Sequence, residues 1–362
     1  MADHVKLFLP GPTEVRAEIR QAQTQPMIGH RSAVFLELFA RVQEKLRRVF
    51  YTNSRVYVST SSGTGIWEGA SRNCVRDDRK VLHFVQGSFS ERWAYVSQSN
   101  GKQTTVVDLA WGKAVRPEMV REALRAGGYD ALALVHNETS TGVMNPLYEI
   151  AEVMKEFPDV FFMVDAVSSA AGVKIEVNKL GIDVLVASSQ KCFALPPGLS
   201  FAPVSDRVLE RAKTIPYRGY YFDFLALEEQ LLKNSTPATP AVSLIFALDK
   251  QLDGMLAEGL EARFARHAKL AALTRQWAKD SGFELFAEPG YESDTVTTVA
   301  NTRGVDVPAM QKFVKGRGMQ IDGGYGKIKG KTFRIAHMGD ATRADFEELF
   351  AALNDFLMAP RA

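Results

Sequence analysis

Two charged residues stand where long apolar runs stop. Asp165 ends the run Val160-Phe161-Phe162-Met163-Val164, and Lys191 follows Asp183-Val184-Leu185-Val186-Ala187-Ser188-Ser189-Gln190. Near-continuous apolar runs of this length read as strands buried on both faces of a parallel sheet. Ligands in open α/β sheets bind outside the carboxyl ends of such strands. A carboxylate and an amine at two of those ends suit one cofactor with two needs. The pyridinium nitrogen of pyridoxal phosphate takes a carboxylate, and its aldehyde takes a lysine. The plainer alternative is a surface Asp and a surface Lys flanking core strands, so the other strand ends matter.

Three of them carry further candidates. After the apolar run 55–60 comes Ser61-Ser62-Gly63-Thr64-Gly65, then a helical pattern. Small residues at a strand-to-helix turn present backbone N–H groups at a helix N-terminus, where phosphate binds. The hydroxyls of Ser62 and Thr64 add donors; a plain flexible turn is the alternative. The loop is neither GxGxxG nor a lysine-bearing P-loop, which argues against nucleotide folds. Phe89, in Gln86-Gly87-Ser88-Phe89-Ser90, offers either a stacking face for a planar ring or a core side chain. Thr139 lies in His136-Asn137-Glu138-Thr139-Ser140-Thr141-Gly142, a polar run read as too long for a tight turn. Together the strand ends supply a phosphate loop, an aromatic face, hydroxyls, a carboxylate and a lysine, and that convergence counts for more than any one of them.

The elements that must position these residues alternate. Apolar strand patterns at 55–60, 80–85, 104–108, 131–136, 160–165 and 184–188 are separated by helical patterns at 65–74, 90–98, 116–126 and 146–156. This predicts an α/β fold with a mainly parallel central sheet flanked by helices. A further short strand is expected at 199–203. The stretch Asn234-Ser235-Thr236-Pro237-Ala238-Thr239-Pro240 cannot be regular helix or central strand. A long helix over 241–281 follows, interrupted near Gly254 and Gly259. The remainder reads as a smaller α+β unit with strands at 295–301 and 332–337 and a last helix at 343–357. The expected organisation is an N-terminal arm at 1–16, a large cofactor-binding domain at 17–255 and a small C-terminal domain at 256–362. Within the arm, 6–13 reads as a short strand crossing onto another part of the molecule.

Composition is that of an ordinary globular protein: 362 residues, 46% hydrophobic, 24% charged. With 44 basic and 42 acidic residues, the formal charge of +2 gives no case for a nucleic-acid or membrane surface. Two cysteines, Cys74 and Cys192, make no disulfide framework, so a reducing cytoplasmic setting is expected. The start lacks the apolar core of a signal peptide, and no run approaches the roughly 20 apolar residues of a membrane span.

The runs Val164-Asp165-Ala166-Val167-Ser168-Ser169 and Ser189-Gln190-Lys191-Cys192-Phe193-Ala194-Leu195-Pro196-Pro197-Gly198 resemble the class V aminotransferases, which are fold-type I pyridoxal-phosphate enzymes. Within that family the similarity is strongest to the alanine–glyoxylate and serine–pyruvate enzymes. It extends from Leu9-Pro10-Gly11-Pro12-Thr13 to Phe333-Arg334-Ile335. The resemblance implies that Lys191 makes the covalent link to the cofactor and Asp165 pairs with the ring nitrogen. Val167 packs on the ring face opposite Phe89. Ser62, Gly63, Thr64 and Gln190 hold the phosphate, and Thr139 reaches the 3-oxygen region. Thr239 reaches the phosphate of a neighbouring subunit, which implies a homodimer with shared sites. Arg334 clamps the substrate carboxylate. Three positions depart from the mammalian-type pattern: Phe89 replaces a tryptophan, Thr64 a histidine and Thr236 a tyrosine.

The substrate is read in two ways. One is an alanine or serine donor with glyoxylate or pyruvate as acceptor. The other is phosphoserine with 2-oxoglutarate, suggested by a similar His-Arg pair in phosphoserine aminotransferases. Here His30 and Arg31 either help bind a substrate or are solvated ahead of a helix capped by Ser32. Lys327, Lys329 and Lys331 either enrich a positive field near Arg334 or form a solvated hairpin. His337 is expected to be buried and satisfied. A cysteine desulfurase would need a mobile cysteine in the C-terminal part, and none follows Cys192. Strand alternation is expected to point Cys192 away from Lys191. A nicotinamide dehydrogenase would need a glycine fingerprint after the first strand, and a binding module would be colourless.

Overall fold

In a computed structural model, which describes residues 4–359, a seven-stranded sheet runs in the order Arg55–Ser59, Ser200–Val204, Val184–Ser188, Phe161–Asp165, Tyr129–Val135, Lys80–Val85, Gln103–Asp108. The outermost residues of the expected arm and small domain, 1–3 and 360–362, lie outside the described residues. Neighbouring strands pair parallel except around Ser200–Val204, which is antiparallel to both of its neighbours. That strand follows Val184–Ser188 after a connection too short for a crossover helix, so it must return antiparallel.

Phe161–Asp165 and Val184–Ser188 are buried along their whole length. Along the second of these, Leu185 and Ala187 join one apolar core while Val184 and Val186 join another. Successive side chains point to opposite faces of a strand, so the two cores lie on the two faces of the sheet. One is built around Phe35, Leu132 and Leu248, the other around Trp67, Trp93 and Met163. Burial on both faces is why these strands read as unbroken apolar runs.

A second sheet of Glu284–Leu285, Val296–Ala300 and Thr332–Ala336 shares a third core with Leu260–Asp280, Val307–Gly316 and Arg343–Met358. The N-terminal arm does cross the molecule. Lys6–Leu7 pairs parallel with Met319–Gln320, and Phe8 enters the third core. The strand stops after two residues, not at residue 13, and Pro10 and Pro12 lack the N–H that would extend a ladder.

The long helical stretch divides into Val242–Glu258 and Leu260–Asp280 at Gly259, whose φ is +84°. Gly254 does not interrupt it and lies inside the first helix. The polar run 136–142 also differs from expectation. Asn137–Glu138 pairs antiparallel with Val143–Met144 across a tight loop, where the Gly142 N–H donates to the Glu138 carbonyl at 2.9 Å. The helices Phe224–Leu231 and Val307–Gly316 escaped notice; they are short and announced only by their capping aspartates, Asp223 and Asp306. Among the described residues no helix is long and apolar enough to cross a membrane.

Candidate active site

Lys191 lies in the turn after Val184–Ser188 and is 8% exposed. Its Nζ donates to the Pro10 carbonyl and stands 6.0 Å from the Phe89 ring centroid. Thr13 braces the same turn: its N–H donates to the Gln190 carbonyl and its hydroxyl to the Lys191 carbonyl, each at 3.1 Å. Burial, with the Arg334 charge acting in the same direction, lowers the lysine to about 8. A neutral amine, the form that attacks a carbonyl carbon, is therefore far more accessible near neutral pH than in an ordinary lysine.

Asp165 ends the adjacent strand Phe161–Asp165, and its Oδ1 accepts the Val167 N–H at 2.7 Å. No ion pair engages it among the described residues. Burial raises its carboxyl to about 7; the Val167 N–H opposes that shift, and the charge of Glu138 adds to it. A buried carboxylate without a cationic partner suits a ligand that brings its own N–H⁺.

The loop expected to hold phosphate is the start of the helix Gly63–Cys74. Ser62 occupies the N-cap, yet its side chain makes no capping bond, so the hydroxyl and the Gly63 and Thr64 N–H groups remain for an anion. A Cβ on Gly63 would stand 2.6 Å from Val167 Cγ2. Only glycine lets this loop and Val167 approach so closely. Thr64 is half-buried one residue on. Gln190 Oε1 accepts the Ser188 hydroxyl at 2.6 Å.

Arg334, from the strand Thr332–Ala336, is buried close enough for its charge to act on Lys191. Its Nε donates to Asp322 at 2.7 Å and its Nη1 to the Thr139 carbonyl at 2.9 Å. Among the described residues nothing in the chain bonds its Nη2. Thr139 Oγ1 lies 2.5 Å from Ser168 Oγ. Tyr325 stacks on Phe89 with ring centroids 5.5 Å apart and 14° between planes, and the Arg334 guanidinium lies 5.3 Å from its centroid.

Lys191, Asp165, Val167, Gly63, Phe89, Thr139 and Arg334 are thus joined by direct contacts or short chains of them. His30, Arg31 and Thr239 are not. Arg31 is exposed and donates to Ser235 at 2.7 Å, and Thr239 lines a small cavity with Thr60, Tyr220 and Tyr221. Ser32 caps Ala33–Val49 as expected, accepting from the Phe35 N–H. Lys329 and Lys331 are exposed, and Lys327 pairs with Glu91 at 2.7 Å, so this basic hairpin is a solvated one.

His337 is buried, bonded to Thr297 and to the Asp294 carbonyl, and held neutral by burial. Cys192 is a packed thiol raised by burial to about 12. It sits in a turn, so close packing under Gly172 buries it and strand alternation plays no part. The sequence reading missed Pro10 and Gly11 above the lysine, Tyr325 behind Phe89, Asp322 behind Arg334, and Glu138. Their only signals were a Pro-Gly-Pro turn, an aromatic in a glycine turn, and acids inside polar runs.

A buried amine, a buried unpaired carboxylate, an uncapped helix start and a flat aromatic wall together suit pyridoxal phosphate. The class-V aminotransferase model matches residues 14–345. An uncharacterized aminotransferase of Methanocaldococcus jannaschii is 39% identical over 92% of this chain and 87% of its own length. The serine–glyoxylate aminotransferase of Methylorubrum extorquens is 34% identical over 92% of this chain and 86% of its own. Among solved structures, an alanine–glyoxylate aminotransferase from Nostoc sp. aligns with a TM-score of 0.93 at 29% identity, covering 99% of this chain and 96% of that one. The chain belongs to the class-V aminotransferases and is a pyridoxal-phosphate-dependent transaminase of fold type I.

Proposed function

We propose that this transaminase moves an amino group from a small donor, alanine or serine, to glyoxylate or pyruvate, in active sites shared by two subunits. The observation that carries the reading is Arg334, a buried guanidinium whose charge acts on Lys191 and which is anchored by Asp322 and Thr139 yet, among the described residues, keeps Nη2 uncommitted. A guanidinium so placed pairs with the α-carboxylate common to amino acids and 2-oxo acids. The serine– and alanine–glyoxylate relatives support this choice of donor and acceptor.

When bound, the cofactor supplies an aldehyde for the amino group and a ring that accepts the electrons released at Cα. Lys191 would anchor that aldehyde, and its amine, once free, would serve as the general base that takes up and gives back the substrate's Cα proton. Asp165 holds a proton on the ring nitrogen. Ser62, Gly63, Thr64 and Gln190 would bind the phosphate, Val167 and Phe89 would cover the two ring faces, and Thr139 would lie on the ring's 3-oxygen side. The donor leaves as its 2-oxo acid before the acceptor enters, so kinetics are ping-pong.

Thr239 would serve the partner's phosphate. Its surroundings support a dimer face: Tyr220 and Tyr221 beside it are 79% and 43% exposed, and Leu232 is 77% exposed. The Arg31–Ser235 bond ties this stretch to the segment that carries exposed Met27 and Val34. Such an apolar patch marks an interface. Two buried, free cysteines support a reducing, cytoplasmic setting.

The phosphoserine reading needs His30 and Arg31 at the substrate, and Arg31 is engaged by Ser235. The deciding measurement is kcat/KM for alanine–glyoxylate and serine–glyoxylate beside phosphohydroxypyruvate–glutamate. We expect the glyoxylate pairs to win by more than tenfold. A phosphate-substrate preference that Arg31→Ala abolishes would overturn the assignment.

A further inference from the structure

Glu138 is fully buried beside the site, and nothing in the mechanism above uses it. Its Oε1 accepts the Ser140 hydroxyl at 2.6 Å and the Ser140 N–H at 3.1 Å. Its Oε2 accepts the Ser90 N–H and hydroxyl, both at 2.9 Å. The Phe89 N–H is shared between the two oxygens at 3.3 and 3.2 Å. Among the described residues no lysine, arginine or histidine forms an ion pair with it. Its charge is met by hydroxyls and by first-turn N–H groups of the helix Ser88–Ser99, at the positive end of the helix dipole.

The approach is built for this one side chain. A Cβ on Gly87 would stand 2.4 Å from Glu138 Cδ and 2.5 Å from Ser140 Oγ. Gly87 has an extended φ of 178°, so space, and not backbone conformation, demands glycine here. The carboxylate therefore joins two segments some fifty residues apart. One carries Phe89, whose ring faces Lys191 on one side of the contact network and stacks on Tyr325. The other carries Thr139, whose carbonyl holds Arg334.

We propose that Glu138 is a positioning residue that sets the plane of Phe89 against the cofactor ring and the height of Thr139 under Arg334. It acts through those two residues and touches neither cofactor nor substrate. The inference rests on the assignment of Phe89 to the ring face made above. It does not depend on which amino acid is the donor.

The test uses the resting holoenzyme and the variants Glu138→Gln, Phe89→Ala and their double. A carboxamide keeps the shape but turns an NH₂ toward groups that are themselves donors. For Glu138→Gln we expect the circular dichroism of the bound cofactor's visible band to fall at least twofold and the cofactor Kd to rise about tenfold. KM for the amino donor should rise by a similar factor, reporting the shift of Arg334. Against the Phe89→Ala background the same substitution should change the visible dichroism little, because its route to the ring is gone.

Wild-type dichroism and cofactor affinity in Glu138→Gln would overturn the proposal, as would an undiminished effect in the double variant. Unaltered dichroism in Phe89→Ala would instead sink the ring-face assignment itself. Should Glu138→Gln fail to fold, Ser90→Ala removes one of its donors and is expected to lower the visible dichroism in the same direction by a smaller factor. Unchanged dichroism in that variant would overturn the proposal.

Discussion

A Cβ on Gly11 would stand 2.7 Å from both Cδ and Nζ of Lys191. The N-terminal arm thus passes directly over the reactive amine, with the Pro10 carbonyl accepting its hydrogen bond. Gly11 also holds φ at +102°, a conformation side chains resist. Gly11→Ala is expected to reduce bound cofactor and turnover at least tenfold while the protein still folds, with Tm a few degrees lower. Cofactor absorbance per subunit, read beside a thermal melt, separates the two effects. Full cofactor loading would show that the arm has slack over the lysine.

Lys191→Ala should give a colourless protein with turnover reduced by at least 10⁴-fold, since both the covalent anchor and the base are lost. The visible spectrum and a single-turnover assay check this. Normal transamination in the variant would end the assignment.

The lowered Lys191 value of about 8 has a kinetic signature. Only the neutral amine attacks the aldehyde, so the rate of cofactor uptake by apoenzyme should rise with pH and level off above about 8. Well below that midpoint it should fall about tenfold per pH unit. Stopped-flow absorbance measures it. A midpoint near the ordinary lysine value of 10.5 would contradict the burial shown here.

Asp165 carries the opposite sign. Its folded-state value, about 7, lies above the ordinary 3.8. The folded apoprotein therefore keeps a proton that the unfolded chain loses, and this contribution to stability disappears as pH rises from about 4 through 7. Asp165→Asn should melt higher than wild-type apoprotein above pH 7, with the gap closing toward pH 4, while turnover falls at least about 10³-fold. Thermal melts across that range decide it; a gap independent of pH would contradict the raised carboxyl.

Arg334→Lys keeps the charge but loses the planar fork that bonds Asp322, Thr139 and a substrate carboxylate together. We expect kcat/KM to drop about 10²-fold, mostly through KM, with cofactor binding unchanged. Steady-state kinetics with alanine and glyoxylate test it. An unchanged KM would place the substrate carboxylate elsewhere.

The large sheet was legible because its inner strands are buried on both faces. Lys80–Val85 and Val184–Ser188 have the limits that the apolar pattern predicts. The helix Arg343–Met358 follows its Thr342 cap, which forms a capping box with Asp345. Local signals failed where long-range packing chose between equal candidates. Gly254 and Gly259 look alike in sequence; Gly254 keeps a helical place where the Arg16 guanidinium fills the space a Cβ would take, and only Gly259 takes the left-handed turn. The run 136–142 was misread because its hydroxyls turn inward. Ser140 bonds Glu138, and Thr139 meets Ser168, so a polar sequence closes into a tight buried hairpin.

Asp165 and Lys191 were singled out by sequence alone. A strand covered on both faces is apolar along most of its length, so a charge following a long apolar run announces the strand's end without reference to any distant residue. What surrounds those two charges was decided only by tertiary structure. Pro10 meets Lys191 across 181 positions, and Thr139 meets Arg334 across 195. Contacts at such separations leave no periodicity in the chain. They arise when the packed cores bring the arm, the hairpin and the second sheet to the same strand ends, and that packing gives the lysine its lowered proton affinity and Arg334 its place.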